Sequence, residues 1–126
     1  MSEIRVTTIS DTAGTGPVTL TKQSACKSFL NFDGSGTVSI NKSFNVASLV
    51  DDAVGENTTN FTSSFDSANY TGTGLAKRET STAYPNMANI DGTVTASAMK
   101  IIYTKFDNGA RTDSDLITQT FHGDLA

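Results

Sequence analysis

Turn residues recur along this chain roughly every 8 to 12 positions, and between them apolar residues alternate instead of falling at helical spacing. Asp33-Gly34-Ser35-Gly36 and Asp107-Asn108-Gly109 are the clearest cases, because each stands between alternating stretches and supplies residues that tolerate positive φ. Segments so short hold strands more readily than helices, and the pattern predicts about six to nine of them. Composition agrees: 20 Thr, 14 Ser and 9 Asn favour strands and turns, and with 17% charged residues the surface is solvated largely by hydroxyls and amides. The expected fold class is all-β, an antiparallel β-sandwich (jelly-roll-like) with a short N-terminal arm.

The 126 residues suffice for one ordinary domain around a single core. Residues 1–24 read as an extended arm followed by a Gly/Pro loop, and 25–126 as the sandwich. The first ten residues lack the basic-then-apolar order of a secretory signal, and no apolar run has the length of a membrane span. Synthesis and folding in the cytoplasm are expected, with no membrane insertion. A net charge of −4 excludes the basic footprint that nucleic-acid binding requires. Cys26, the single cysteine, cannot form an internal disulfide and falls in an apolar strand pattern, as a small buried hydrophobe does.

Two hairpins stand out. In the first, a strand over Ala25 to Phe32 turns at Asp33 to Gly36 and returns over Thr37 to Val46, with Val38, Ile40, Phe44 and Val46 on one side. Lys42 interrupts that side, which signals a bulge or a side chain whose head reaches water. In the second, Met99 to Phe106 turns at Asp107 to Gly109 and Leu116 to Phe121 return. Between them lie strands over Thr58 to Phe65 and Tyr70 to Lys77. A long aperiodic stretch, RETSTAYPNMANIDG, reads as a recognition loop, with Tyr84, Asn86 and Asn89 as contact candidates.

Catalytic chemistry finds little footing. His122 is the single histidine, and a pairing with Cys26 has nothing else around it that an activated nucleophile needs. Asp33, Asp91 and Asp107 stand at turns, and the pairs Asp51-Asp52 and Asp113-x-Asp115 lack the oxygen-ligand ladder of a calcium loop. GTGP and GTGLAK are not followed by the helix that phosphate-binding loops require. No catalytic residue, cofactor or metal is expected. Phe29 is the anomaly, a large apolar residue on the polar side of its strand. With Ile102 and Phe106 it forms a set expected at a subunit interface.

The stretch Ser24 to Tyr70 resembles a module of short structural proteins of tailed bacteriophages, the tail-fibre-like or uncharacterised virion proteins. The matching positions are Lys27, Asn31, Phe32, Gly34, Gly36, Thr37, Ser43, Phe44, Asn45, Val46, Asn60, Phe61, Thr62, Ala68, Asn69 and Tyr70. The lead-in SDTAGTGPVTLTKQSA and the ending MKIIYTKFDNGARTDSDLITQTFHGD are similar to that family as well. The chain departs from it at Phe29, where Trp is usual, at Ser67, where Asp is usual, and in the wording of VDDAVGENTTNF.

The resemblance implies a non-enzymatic virion component, made in the host bacterial cytoplasm, that forms a homo-oligomer, with trimers commonest among tail fibres. Its implied partners are other phage virion proteins and a host-surface glycan or protein. A tail fibre, spike or tail-associated domain is the first expectation. A head decoration protein is the alternative, and a carbohydrate-binding sandwich the second alternative.

Overall fold

The computed structural model describes residues 26–77, 86–92 and 94–126. The N-terminal arm expected over 1–24 and Tyr84 lie outside the described residues. The described chain forms eight strands: β1 (Ser28–Asp33), β2 (Ser39–Phe44), β3 (Val46–Ala53), β4 (Glu56–Phe61), β5 (Thr71–Ala76), β6 (Asn86–Ile90), β7 (Ala98–Lys105) and β8 (Ile117–His122). They pair antiparallel in two four-stranded sheets, sheet A in the order β2-β1-β8-β5 and sheet B in the order β3-β4-β7-β6. This is the all-β sandwich that the punctuation predicts.

The core lies between the sheets. Leu30 and Phe32 of β1 and Ile117 and Phe121 of β8 enter from sheet A; Phe61 of β4 and Met99, Ile101 and Tyr103 of β7 enter from sheet B. Phe65 and Tyr70, from the connection between β4 and β5, close one end. Phe61 packs edge-on against Phe65, Tyr70 and Phe121 at centroid distances of 5.0, 5.6 and 4.9 Å, and Phe65 stacks on Tyr70 at 4.1 Å. Burying each such ring contributes about 1.5–3 kcal/mol, and the edge-to-face geometry adds to it. One polar chain crosses the core: Thr59 Oγ1 donates to Gln119 Oε1 at 2.6 Å, and Gln119 Nε2 donates to the Tyr103 hydroxyl at 2.9 Å. β5 presents glycine where Met99 and Phe121 fill the core against it, since a Cβ on Gly72 would stand 2.7 Å from Met99 Sδ.

Several expectations are corrected. The first hairpin forms, but its return strand ends at Phe44 and the chain continues at once as β3, pairing with β4 in the other sheet. Asn45, with φ of 55°, is the corner. Its Nδ2 donates to the carbonyls of Lys27 and Ser63, both at 3.1 Å, and its Oδ1 accepts from Ser63 N at 2.7 Å, so the side chain ties the two sheets where the strand switches between them. β4 stops at Phe61, and Phe65 lies beyond it, joined to Leu125 by an isolated bridge.

The expected second hairpin does not form: β7 pairs with β4 and β6 in sheet B, whereas β8 pairs with β1 and β5 in sheet A. The turn after β7 folds back only as far as a bridge between Thr104 and Arg111, after which 112–116 crosses to sheet A. Part of the expected recognition loop is instead edge strand β6.

Candidate functional site

On β1 the alternation is strict. Ser28, Leu30 and Phe32 point inward and are buried, so Phe29 and Asn31 point outward from sheet A. Phe29 stands opposite Phe44 on β2, and the rings stack at 6.0 Å with planes 25° apart. Phe44 is 54% exposed, the other ring half-buried.

The pairing places further residues on the same face. One row across sheet A runs Phe44, Phe29, Thr120 and Thr73; the next runs Lys42, Asn31, Thr118 and Leu75. Asn41 Nδ2 donates to Asn31 Oδ1 at 3.1 Å. The outer face of sheet A therefore carries an aromatic pair at one side, Thr and Asn across the middle, and exposed Leu75 at the other edge.

Phe44 reaches this face because of a bulge. The β1–β2 register shifts between Asn31 and Phe32, so that Asn31 pairs with Lys42 but Phe32 with Ile40, leaving Asn41 extra. Sequence alternation placed Phe44 and Ile40 on one side; the bulge separates them. Lys42, in the middle of that apolar pattern, was the signal.

The three expected interface residues do not form one surface. Ile102 lies opposite Glu56 of β4 and Asn89 of β6, on the outer face of sheet B, with the sandwich between it and Phe29. Phe106 follows β7 in the exposed turn. Phe29 is joined instead by Phe44. Of the loop candidates, Asn86 opens β6, its Nδ2 donating to the Lys77 carbonyl at 3.1 Å, and Asn89 lies on the same strand with Nδ2 donating to Thr104 Oγ1 at 3.3 Å. Asn86 thus ties β6 to the end of β5 in the other sheet, and Asn89 braces β6 against β7.

The acidic pairs are split by the fold. Asp113 Oδ1 accepts the Gly55 amide at 2.7 Å, while Asp115 pairs with Lys77 at 2.6 Å. Asp52 accepts from Thr58 Oγ1 at 2.6 Å. Asp33 accepts from the amide and hydroxyl of Ser35, and these bonds hold its carboxyl below the ordinary value. On the outer face of sheet B, Glu56 is buried with Lys100 at 2.7 Å and with Arg111, and Asp52 and Asp91 lie at the rim of the cluster. This network ties β4, β7 and the crossover after β7 together.

Among the described residues no group of three His, Cys, Asp or Glu side chains is placed to hold a metal ion, and no helix is long and apolar enough to cross a membrane. Cys26 is half-buried, its Sγ donating to the Ser28 carbonyl at 2.9 Å, and His122 ends β8 opposite Thr71.

The β2–β3 side of the molecule completes the candidate site. β2 and β3 are edge strands of sheets A and B, joined through Asn45 into one ribbon. Ile40, Phe44, Val50 and Val54 are exposed along it. An exposed ring pair and a strand edge thus lie side by side on this part of the molecule. Comparison with known proteins found no family model, no curated protein and no solved structure that matches the chain.

Proposed function

We propose that this protein is a non-enzymatic structural component of a bacteriophage virion, a tail fibre, spike or tail-associated β-domain. It acts in particle assembly and in attachment to the host surface. The observation that carries the reading is the stacked pair of Phe29 and Phe44 on the outer face of sheet A, beside an open strand edge. A stacked aromatic pair on a sheet face that also exposes Leu75 is the mark of a contact surface, and a strand edge beside it offers main-chain hydrogen bonds to the same partner.

The resemblance of Ser24 to Tyr70 to phage structural proteins supplies the setting, and the homo-oligomer it implies suits a small sandwich without a disulfide. Weak sites repeated on such an oligomer give avidity at a cell surface without any single tight pocket.

The test is placement on the particle. Antibody labelling of purified phage, read by electron microscopy beside quantitative mass spectrometry, is expected to put the chain on the tail at a copy number on the order of tens. Labels spread over the head at hundreds of copies per particle reassign it to capsid decoration. Absence from particles removes the virion reading.

A further inference from the structure

The turn after β7 holds Asn108-Gly109, the one Asn-Gly pair among the 9 asparagines of the chain. Every other asparagine is followed by a residue with a side chain, and most of them lie in strands. A main-chain nitrogen can attack the carboxamide carbon of the asparagine before it, and a following glycine leaves that approach clear because it has no Cβ.

The turn presents the two groups to each other. Asn108 and Gly109 are exposed, and Gly109 has φ of 68°. Asn108 Oδ1 accepts from Ala110 N at 2.9 Å, an Asx turn that folds the side chain over the peptide between them and holds Cγ beside Gly109 N. The same bond draws electron density from the carboxamide carbon. Asn108 Nδ2 has no hydrogen-bond partner among the described residues, so the leaving group is untied. One bond opposes attack, Gly109 N donating to Lys105 O at 2.9 Å, and it lies in the turn beyond the last ladder pair of β7.

We propose that Asn108 is a modification site at which the folded protein deamidates spontaneously through a cyclic imide with Gly109. Gly109 N bonds to Asn108 Cγ, and the side-chain nitrogen leaves as ammonia, taking up the proton that Gly109 N loses. Water then opens the imide. Cleavage of the bond from nitrogen to Cγ gives aspartate; cleavage of the bond from nitrogen to the main-chain carbonyl carbon gives isoaspartate, with one extra carbon in the main chain.

The two products differ in effect. The aspartyl form keeps an oxygen for Ala110 N and keeps the turn. The isoaspartyl form lengthens the loop that Lys105 N closes on Ala110 O, next to the bridge between Thr104 and Arg111. Arg111 is the partner of buried Glu56 and of Asp91, so the inserted carbon weakens the tie between the crossover and β4.

The experiment incubates the full chain in warm, mildly alkaline buffer, with circular dichroism confirming the fold, and digests samples with trypsin. Cleavage after Lys105 and Arg111 frees Phe106 to Arg111 as one peptide. It is expected to gain the mass of an amide-to-acid exchange before any other asparagine does, in two chromatographic forms, one of them a substrate for isoaspartyl methyltransferase. Gly109→Ala, whose added Cβ meets open space in the fold, is expected to slow the gain at least about tenfold. The aged chain is expected to unfold at lower urea than Asn108→Asp, which itself matches the fresh wild type. A peptide that stays unmodified in the folded chain while the urea-unfolded chain reacts there overturns the proposal, as does an undiminished rate in Gly109→Ala. An aged chain as stable as Asn108→Asp overturns the coupling to Arg111.

Discussion

Gly55, in the turn between β3 and β4, has φ of 65°, and a Cβ there would lie 2.6 Å from Thr112 N and 2.8 Å from the carbonyl oxygens of Thr112 and Tyr103. Its carbonyl accepts from Tyr103 N at 2.8 Å and its amide donates to Asp113. Both the left-handed conformation and the absence of a side chain are therefore required. Gly55→Ala is expected to cost about 3 kcal/mol or more, against about 1 kcal/mol for Gly36→Ala, which shares the positive φ but faces open space, as urea unfolding will show.

The tyrosines give a pH prediction at the same scale. Burial pushes the Tyr70 phenol from 10.0 up to about 12, and burial raises Tyr103 further despite the amide that Gln119 donates to it. A group whose value is raised by folding stabilises fully below its unfolded value, so this contribution is intact below pH 10 and is lost as pH climbs through about 12. Urea midpoints falling between pH 10 and 12, more weakly in Tyr103→Phe, are the expected result.

Among the elements, the corner between β2 and β3 decides the connectivity. Asn45 supplies a tolerated positive φ together with hydrogen bonds to both flanking segments. Asn45→Gly keeps the backbone and loses the side-chain bonds, at an expected cost of about 1–3 kcal/mol, and Asn45→Ala adds about 1 kcal/mol of backbone strain. An alanine variant as stable as the glycine one would show that the bend is set elsewhere.

β3 was hidden in the sequence for a related reason. As an edge strand it is mostly exposed, so Val46 to Ala53 carries no clean alternation of apolar and polar residues. Alternation on both sides of Asp107-Asn108-Gly109 suggests a β7–β8 hairpin, but that turn is local. Gly109 N donates to Lys105 O and Lys105 N to Ala110 O, closing the turn on the end of β7. Nothing in a turn states which sheet the next strand joins. β1 and its outward Phe29 were legible because strict alternation beside an Asp-Gly turn fixes the facing of each side chain. Phe44 was not, because one extra residue in the ladder reverses everything beyond it.

At the scale of the whole molecule, the two sheets use their inner faces for one aromatic core and leave outer faces of different character. Sheet B carries a charged network around buried Glu56, which holds its own strands and crossover together. Sheet A carries the Phe29–Phe44 pair, which supports no part of the core. Removing a ring from the core lowers stability; removing one from the outer face of sheet A should leave the fold intact and change what the molecule associates with. That separation lets the contact be tested without unfolding the chain.

The decisive measurement is the mass in solution of the purified chain, by light scattering, with Phe29→Ser and Phe44→Ser beside it. Association through this side of the sandwich predicts a multiple of the 13.3 kDa chain mass for the wild type. It predicts a fall to 13.3 kDa in both variants at an unchanged circular dichroism spectrum. A single-chain mass for all three, or a multimer that survives both substitutions, contradicts the assignment of the Phe29–Phe44 side as the contact surface.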